Sequence, residues 1–213
     1  MIKYYIIYIM STDSTSSKTD QTAISNAEKL KDTYYETHKK NYFMNKSAQK
    51  FDCARDICSK VDIVGLMDQT FWVVPNKKQV FFDYRVYKLY GNPDNFQLVI
   101  DNVLHMAKWC ILEYGTFEIH LNLSSFTISA AERYKPMIQL FCDICMKQTE
   151  VEYLKHLITM NVYNIPTVFE HISKLLMPIL PPEIVPKMKL MHKTESSPLL
   201  KELYECSGKI YTP

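Results

Sequence analysis

The sequence predicts an α/β fold: a mainly parallel sheet flanked by helices, preceded by a short helical N-terminal region. Three observations predict it. Short β-branched and aromatic runs at 70–74, 79–84, 117–123, 156–163 and 187–191 are separated by stretches whose apolar residues recur every three or four positions. From residue 70 the order reads β-β-α-β-α-β-α-β-α, and strands that alternate with helices pair in parallel through right-handed crossovers. The chain has 213 residues, 47% of them apolar, which suits one domain with a sizeable core and some additions.

Taken in order, residues 11–22 are rich in Ser, Thr and Asp and carry no large apolar side chain, so residues 1–22 are expected to be a flexible tail. Residues 1–9 are apolar but short, lead into no cleavage site, and read as an upstream extension rather than a signal peptide. Residues 23–60 form an N-terminal helical region: Ile24, Ala27, Leu30, Tyr34, His38 and Tyr42 mark one amphipathic helix, and Ala48, Phe51, Ala54 and Ile57 a shorter one. The α/β domain then spans 61–213. Pro75-Asn-Lys-Lys78 turns the first strand into the second. Asn92-Pro93-Asp94 supplies an N-cap, a proline at the first helical position and an early acid, and Gly115 ends the helix that follows. Ser129 and Glu132 have capping-box spacing before a helix holding Tyr134, Met137, Phe141, Ile144 and Cys145. Pro136 falls deep in that helix and predicts a late start or a kink. Pro166 opens the next helix, and Ser197-Pro198 the last.

The composition and motifs exclude several function classes. A net charge of +2 with scattered lysines gives no field suited to nucleic acid. No apolar run approaches the ~18–20 residues that span a bilayer, and six cysteines without a secretion signal read as reduced thiols, so a soluble, cytoplasmic protein is expected. With only four glycines there is no phosphate-cradling loop, and neither GxSxG nor HExxH occurs. Cys142 and Cys145 form a CxxC without a second half-site, so core packing is expected, with no metal and no cofactor. His120 and His156 both fall on expected strands and could face each other, but core or edge positions are the simpler reading. The base, orienting group and charge stabiliser that a reaction needs cannot be assembled, so the chain is not expected to be an enzyme.

One stretch stands out. Residues 173–187 pack six large aliphatic side chains and four prolines into a short span. The prolines forbid one long helix and leave apolar groups on more than one side. The stretch is either a helix end sealed into the core or a movable apolar lid over a cavity.

Four segments belong together: Phe117-Glu-Ile-His-Leu-Asn-Leu with the following Ser-Ser-Phe-Thr-Ile-Ser129; Tyr153-Leu-Lys-His-Leu-Ile-Thr-Met-Asn-Val-Tyr-Asn-Ile-Pro166; Val168-Phe169 leading to Met177-Pro-Ile-Leu-Pro-Pro; and Lys187-Met-Lys-Leu-Met. Through them the chain resembles, over about 61–204, the CRAL-TRIO domain, a lipid-binding module. The resemblance implies a CRAL-TRIO-like architecture in which the third segment is a mobile gate carrying Leu175, Leu176, Ile179, Leu180, Ile184 and Val185. It makes Phe117, Ile119 and Leu121 candidates for the pocket floor, and an apolar floor and gate suit a lipid or other apolar small molecule, with peripheral membrane contact and transfer. It also shows departures. Lys187 is kept, but Lys155 stands where phosphoinositide-binding members carry a glutamate. Phe117 and Ile119 replace polar headgroup positions, and Asn122 and Phe126 replace an Asp and a Gly. The lysine pair either meets an anionic headgroup or is a solvated surface pair. The lost headgroup residues leave open a second expectation, a protein-interaction module that binds a small GTPase, itself or a larger assembly.

Overall fold

Among the described residues five strands form one sheet, in the order in which they occur along the chain: β1 (Phe71–Val73), β2 (Gln79–Asp83), β3 (Phe117–Asn122), β4 (Leu157–Tyr163) and β5 (Met188–Leu190). β1 runs antiparallel to β2, and the remaining neighbours are parallel. The computed structural model describes residues 16–39, 46–147 and 151–211.

Alternation along the strands divides the sheet into two faces. Ile119 lies between Val80 and Met160, and Leu121 between Phe82 and Val162. These side chains point to one face; Phe81, His120, Asn161 and Tyr163 point to the other. Each parallel crossover steps one strand in the same direction, so right-handed crossovers place their helices on a common face. That face carries the main core, shared by α1 (Ser16–Thr37), α2 (Lys46–Cys58), α3 (Ile63–Thr70), α4 (Tyr84–Tyr90), α5 (Phe96–Tyr114), α6 (Ile128–Lys147) and α8 (Phe169–Leu176). A one-turn helix, α7 (Tyr153–His156), leads into β4. The opposite face is covered by α9 (Lys193–Cys206), whose Leu200, Leu203 and Tyr204 pack on Trp72, Phe81 and Tyr163.

Several helix ends follow from local chemistry. Asn92 Oδ1 accepts from the Asp94 backbone N–H at 3.0 Å, and Asn95 Oδ1 accepts from that of Asn92 at 3.1 Å; the 3-10 turn Pro93–Asn95 then feeds α5. Gly115 ends α5 with φ of 75°, a left-handed conformation that costs glycine little. Gly91 is required for a different reason. A Cβ there would sit 2.5 Å from the Tyr87 ring.

The structure departs from the sequence reading at several places, one of them α9, which begins at Lys193 after an N-cap at His192 and carries Pro198 inside it instead of opening at Ser197-Pro198. α1 begins at Ser16, inside the run expected to be a tail; a packed amphipathic helix extends outward at little cost once nucleated. Residues 1–15 and Tyr42 lie outside the described residues. α3 and α4 were not expected. Asp83 ends β2 and caps α4, its carboxylate accepting from the Arg85 backbone N–H at 2.9 Å. α6 is capped by Thr127, whose Oγ1 accepts from Ala130 N–H at 3.2 Å, rather than by Ser129. α6 also runs through Pro136 without a late start. Pro136 and Glu132 are both exposed, so water can solvate the carbonyl that the proline leaves without a donor. Finally, β4 begins at Leu157, because His156 closes α7.

Candidate functional site

An apolar cavity of about 230 Å3 lies between the sheet, α6 and the chain from Phe169 to Ile184. Its floor is Val80, Phe82, Ile119, Leu121, Met160 and Val162. Its roof is Met137, Ile138, Phe141 and Cys142 of α6, and its closing wall is Ile172, Leu176, Leu180 and Ile184. Tyr84, Tyr87 and Tyr134 line a further side. Leu121, Phe82, Met137 and Phe141 are only partly buried although helices cover them, as expected for side chains that face an open space. Interiors are normally packed to crystal-like density, with few voids larger than a water molecule.

The polar groups of the lining are largely engaged within the protein. Ser173 Oγ donates to the Glu170 carbonyl at 2.8 Å, Tyr87 Oη to Met137 Sδ at 2.7 Å and Tyr134 Oη to the Gly91 carbonyl at 3.3 Å. Burial holds the phenols of Tyr84, Tyr87 and Tyr134 neutral by pushing their pKa values up. Burial likewise raises the Cys142 thiol to about 11 and the Cys145 thiol to about 12, so both are packing groups at neutral pH. Among the described residues no cluster of His, Cys, Asp and Glu could hold a metal ion. Such walls suit dispersion contact with an apolar body.

The 173–187 stretch folds as a helix, a tight break and a second turn. α8 ends at Leu176, the 3-10 turn Met177–Ile179 follows with Pro178 near its start, and a second 3-10 turn, Val185–Lys187, precedes β5. Ile172 and Leu176 are four residues apart and share the inner face of α8. The break resets the phase, so that Leu180 and Ile184 turn inward.

The structure gathers some of the sequence-derived site residues and separates others. Ile119, Leu121, Leu176, Leu180 and Ile184 line the cavity. Phe117 instead lines a neighbouring void of about 20 Å3, about the room of one water, shared with Ile119 and Ile184. Leu175 and Ile179 are half-buried beside the closing wall, and Val185 is 43% exposed; none of the three lines the cavity. The two lysines do not form a headgroup pair. Lys187 Nζ donates to the carbonyls of Leu154 and Leu157 at 2.6 and 2.7 Å, satisfying the end of α7. Lys155 is exposed and paired with Glu152 at 2.9 Å.

His120 and His156 are also apart. His120 is buried on the sheet face opposite the cavity, its Nδ1 2.8 Å from Tyr163 Oη, and burial lowers its pKa against the opposing pull of Glu118. His156 Nδ1 lies 2.8 Å from the Gly115 carbonyl, at the end of α7. Near His120, on the same sheet face, Asp83 is bonded to Tyr204 and Arg85, while Asn164 Nδ2 donates to Asn122 and Ser124 at 2.9 and 2.8 Å. This network fixes the exits of β2, β3 and β4.

The sequence reading missed the roof. Met137 and Phe141 have the right spacing for one helix face, but periodicity shows which face is apolar and not whether that face is filled.

No protein-family model matches the chain, and no curated protein matches it. Among solved structures it is similar to one described as the crystal structure of Sfh5, with a TM-score of 0.44 and 13% identity over 94% of this chain and 89% of that one.

Proposed function

We propose that the protein binds an apolar small molecule in the cavity between the sheet floor, α6 and the closing wall of residues 169–184, and that this wall opens to admit it. The single observation that carries the reading is the cavity, about 230 Å3 of apolar space inside the main core. An engineered void of about 150 Å3 already binds benzene, while pockets for drug-sized ligands begin near 300 Å3. In this conformation the space suits one chain or a small ring system rather than a two-chain phospholipid. Each buried methylene contributes ~0.8 kcal/mol, about what it has in a membrane, so uptake from a bilayer is a near-balanced exchange.

The resemblance of the segment from Val168-Phe169 to Met177-Pro-Ile-Leu-Pro-Pro182 to the CRAL-TRIO gate supports the same reading. So does the wall's construction, which keeps inward-facing aliphatic groups on a segment broken by prolines. Exposed Val185 at its end offers a first contact with a membrane surface. A cytoplasmic protein that carries its ligand between membranes follows from this proposal.

Incubation with mixed liposomes, followed by native mass spectrometry of the re-isolated protein, tests it. A one-to-one adduct of a small lipid is expected. A protein that stays empty after exposure to phospholipid, sterol and fatty-acid vesicles contradicts it.

A further inference from the structure

Arg133, in the first half of α6, is only 6% exposed. Its Nη2 reaches Tyr84 Oη at 3.5 Å, the outer limit for a hydrogen bond, and its guanidinium lies over the Tyr134 ring, 4.7 Å from the centroid. Among the described residues Nε and Nη1 have no hydrogen-bond partner and no carboxylate pairs with the group. Arginine keeps its proton inside proteins, so among the described residues this is a buried charge without a counter-charge. Native proteins avoid that arrangement unless something meets the charge. Tyr84, whose hydroxyl the guanidinium reaches, and Tyr134, whose ring it covers, both line the cavity, and Arg133 stands beside them just outside the lining.

We propose that the cavity's ligand is an amphiphile with an oxyanion at one end, a carboxylate or a phosphate monoester, and that Arg133 binds this headgroup at the Tyr84–Tyr134 wall. The proposal rests on the reading of the cavity as a ligand site. The planar fork of unmet N–H donors matches the oxygens of either anion. Tyr84 accepts from Arg133, which leaves its own O–H to donate to the same oxyanion. The apolar body of the ligand then occupies the space over Ile119, Leu121 and Met160. Neither lysine suggested by the sequence serves this role, because Lys187 is spent on backbone carbonyls and Lys155 on Glu152.

The test compares palmitate with its methyl ester, using lipid-stripped wild-type protein and the Arg133→Met variant, with affinities measured by displacement of a fluorescent fatty probe. Palmitate is expected to bind the wild type at least ~10-fold more tightly than the ester. Arg133→Met should erase that preference, keep the ester's affinity and raise the melting temperature of the empty protein, because it removes an unpaired buried charge. Arg133→Lys, which keeps the charge without the fork, should retain part of the preference. Equal affinity of the wild type for palmitate and ester overturns the headgroup site and leaves the apolar cavity standing. Failure of both to bind overturns the cavity reading as well. If acetate or inorganic phosphate raises the wild-type melting temperature as much as palmitate does, and only when Arg133 is present, the site takes free anions and the tethered headgroup is wrong. A lower melting temperature for empty Arg133→Met also contradicts the proposal, since it means that the guanidinium is already satisfied within the protein.

Discussion

Replacing Leu121 by Phe should stabilise the empty protein and weaken ligand binding. Leu121 lies mid-strand on the cavity floor, between Phe82 and Val162, and its side chain is only partly buried. In a filled core the larger ring would force its neighbours off their rotamers, at a cost of about 1–3 kcal/mol. Here it has space to enter. Void volume costs ~24 cal/mol per Å3, so the cavity's 230 Å3 sets a ceiling of about 5–6 kcal/mol on what complete filling could return. One ring fills a fraction of it and buries the equivalent of one or two further methylenes, which gives about 1–1.5 kcal/mol. For a chain of this size that is about 2–6 °C in melting temperature. Urea unfolding of lipid-stripped wild type and Leu121→Phe, with the slope m compared, measures the change, and probe displacement measures the lost affinity. A destabilisation of about 1 kcal/mol or more at unchanged m would refute the reasoning, because it would mean that the space over Leu121 is already occupied by packed atoms.

Gly91→Ala should destabilise the fold by about 1–3 kcal/mol in thermal unfolding, since its Cβ would meet the buried Tyr87 ring at 2.5 Å. Lys187→Met should cost about 1.5–3 kcal/mol in urea unfolding, the worth of its charged bonds to the Leu154 and Leu157 carbonyls, with ligand affinity unchanged because Lys187 does not face the cavity. His120 gives a pH dependence. Burial depresses its folded pKa below the unfolded value near ~6.5, so its neutral form is favoured in the fold; the associated stability is present above that value and is lost as pH falls through the folded pKa. Melting curves between pH 7 and pH 5 should therefore fall less steeply for His120→Gln than for the wild type.

The sheet was legible because its strands carry local signals. In β3 the alternation Phe117-Glu-Ile-His-Leu-Asn states which side chains face the helices, and the pairing register bears this out. α5 was legible at both ends because Asn92-Pro93-Asp94 and Gly115 are chemical punctuation. α4 was not, because it has only seven residues, five of them buried, and it follows β2 without a turn, which leaves too short a run for a period to show. α3 did carry a signal, the cap at Asp62, whose side chain accepts from the Val64 N–H at 3.0 Å; it was obscured by the strand that follows without a turn. Ser129 and Thr127 show how a hydroxyl two residues away can compete for the same cap.

The site was legible only in part. Leu176, Leu180 and Ile184 could be picked from the 173–187 stretch because it is so rich in apolar residues. Ile179 and Val185 could not be told apart from them, because each proline break changes the helical phase. Arg133 gave no local sign. A charged residue on an amphipathic helix reads as solvent-facing, and its burial depends on Tyr84, which comes from a helix that the sequence reading did not include.

The central claim is that the core holds a ligand site rather than an incidental packing defect. Calorimetric titration of lipid-stripped protein with methyl palmitate, repeated at several temperatures, tests it most directly. Saturable one-to-one binding with a negative heat-capacity change is expected, as burial of apolar surface requires, with a weakened affinity in Leu121→Phe. The absence of saturable binding, or binding that Leu121→Phe leaves untouched, would contradict it.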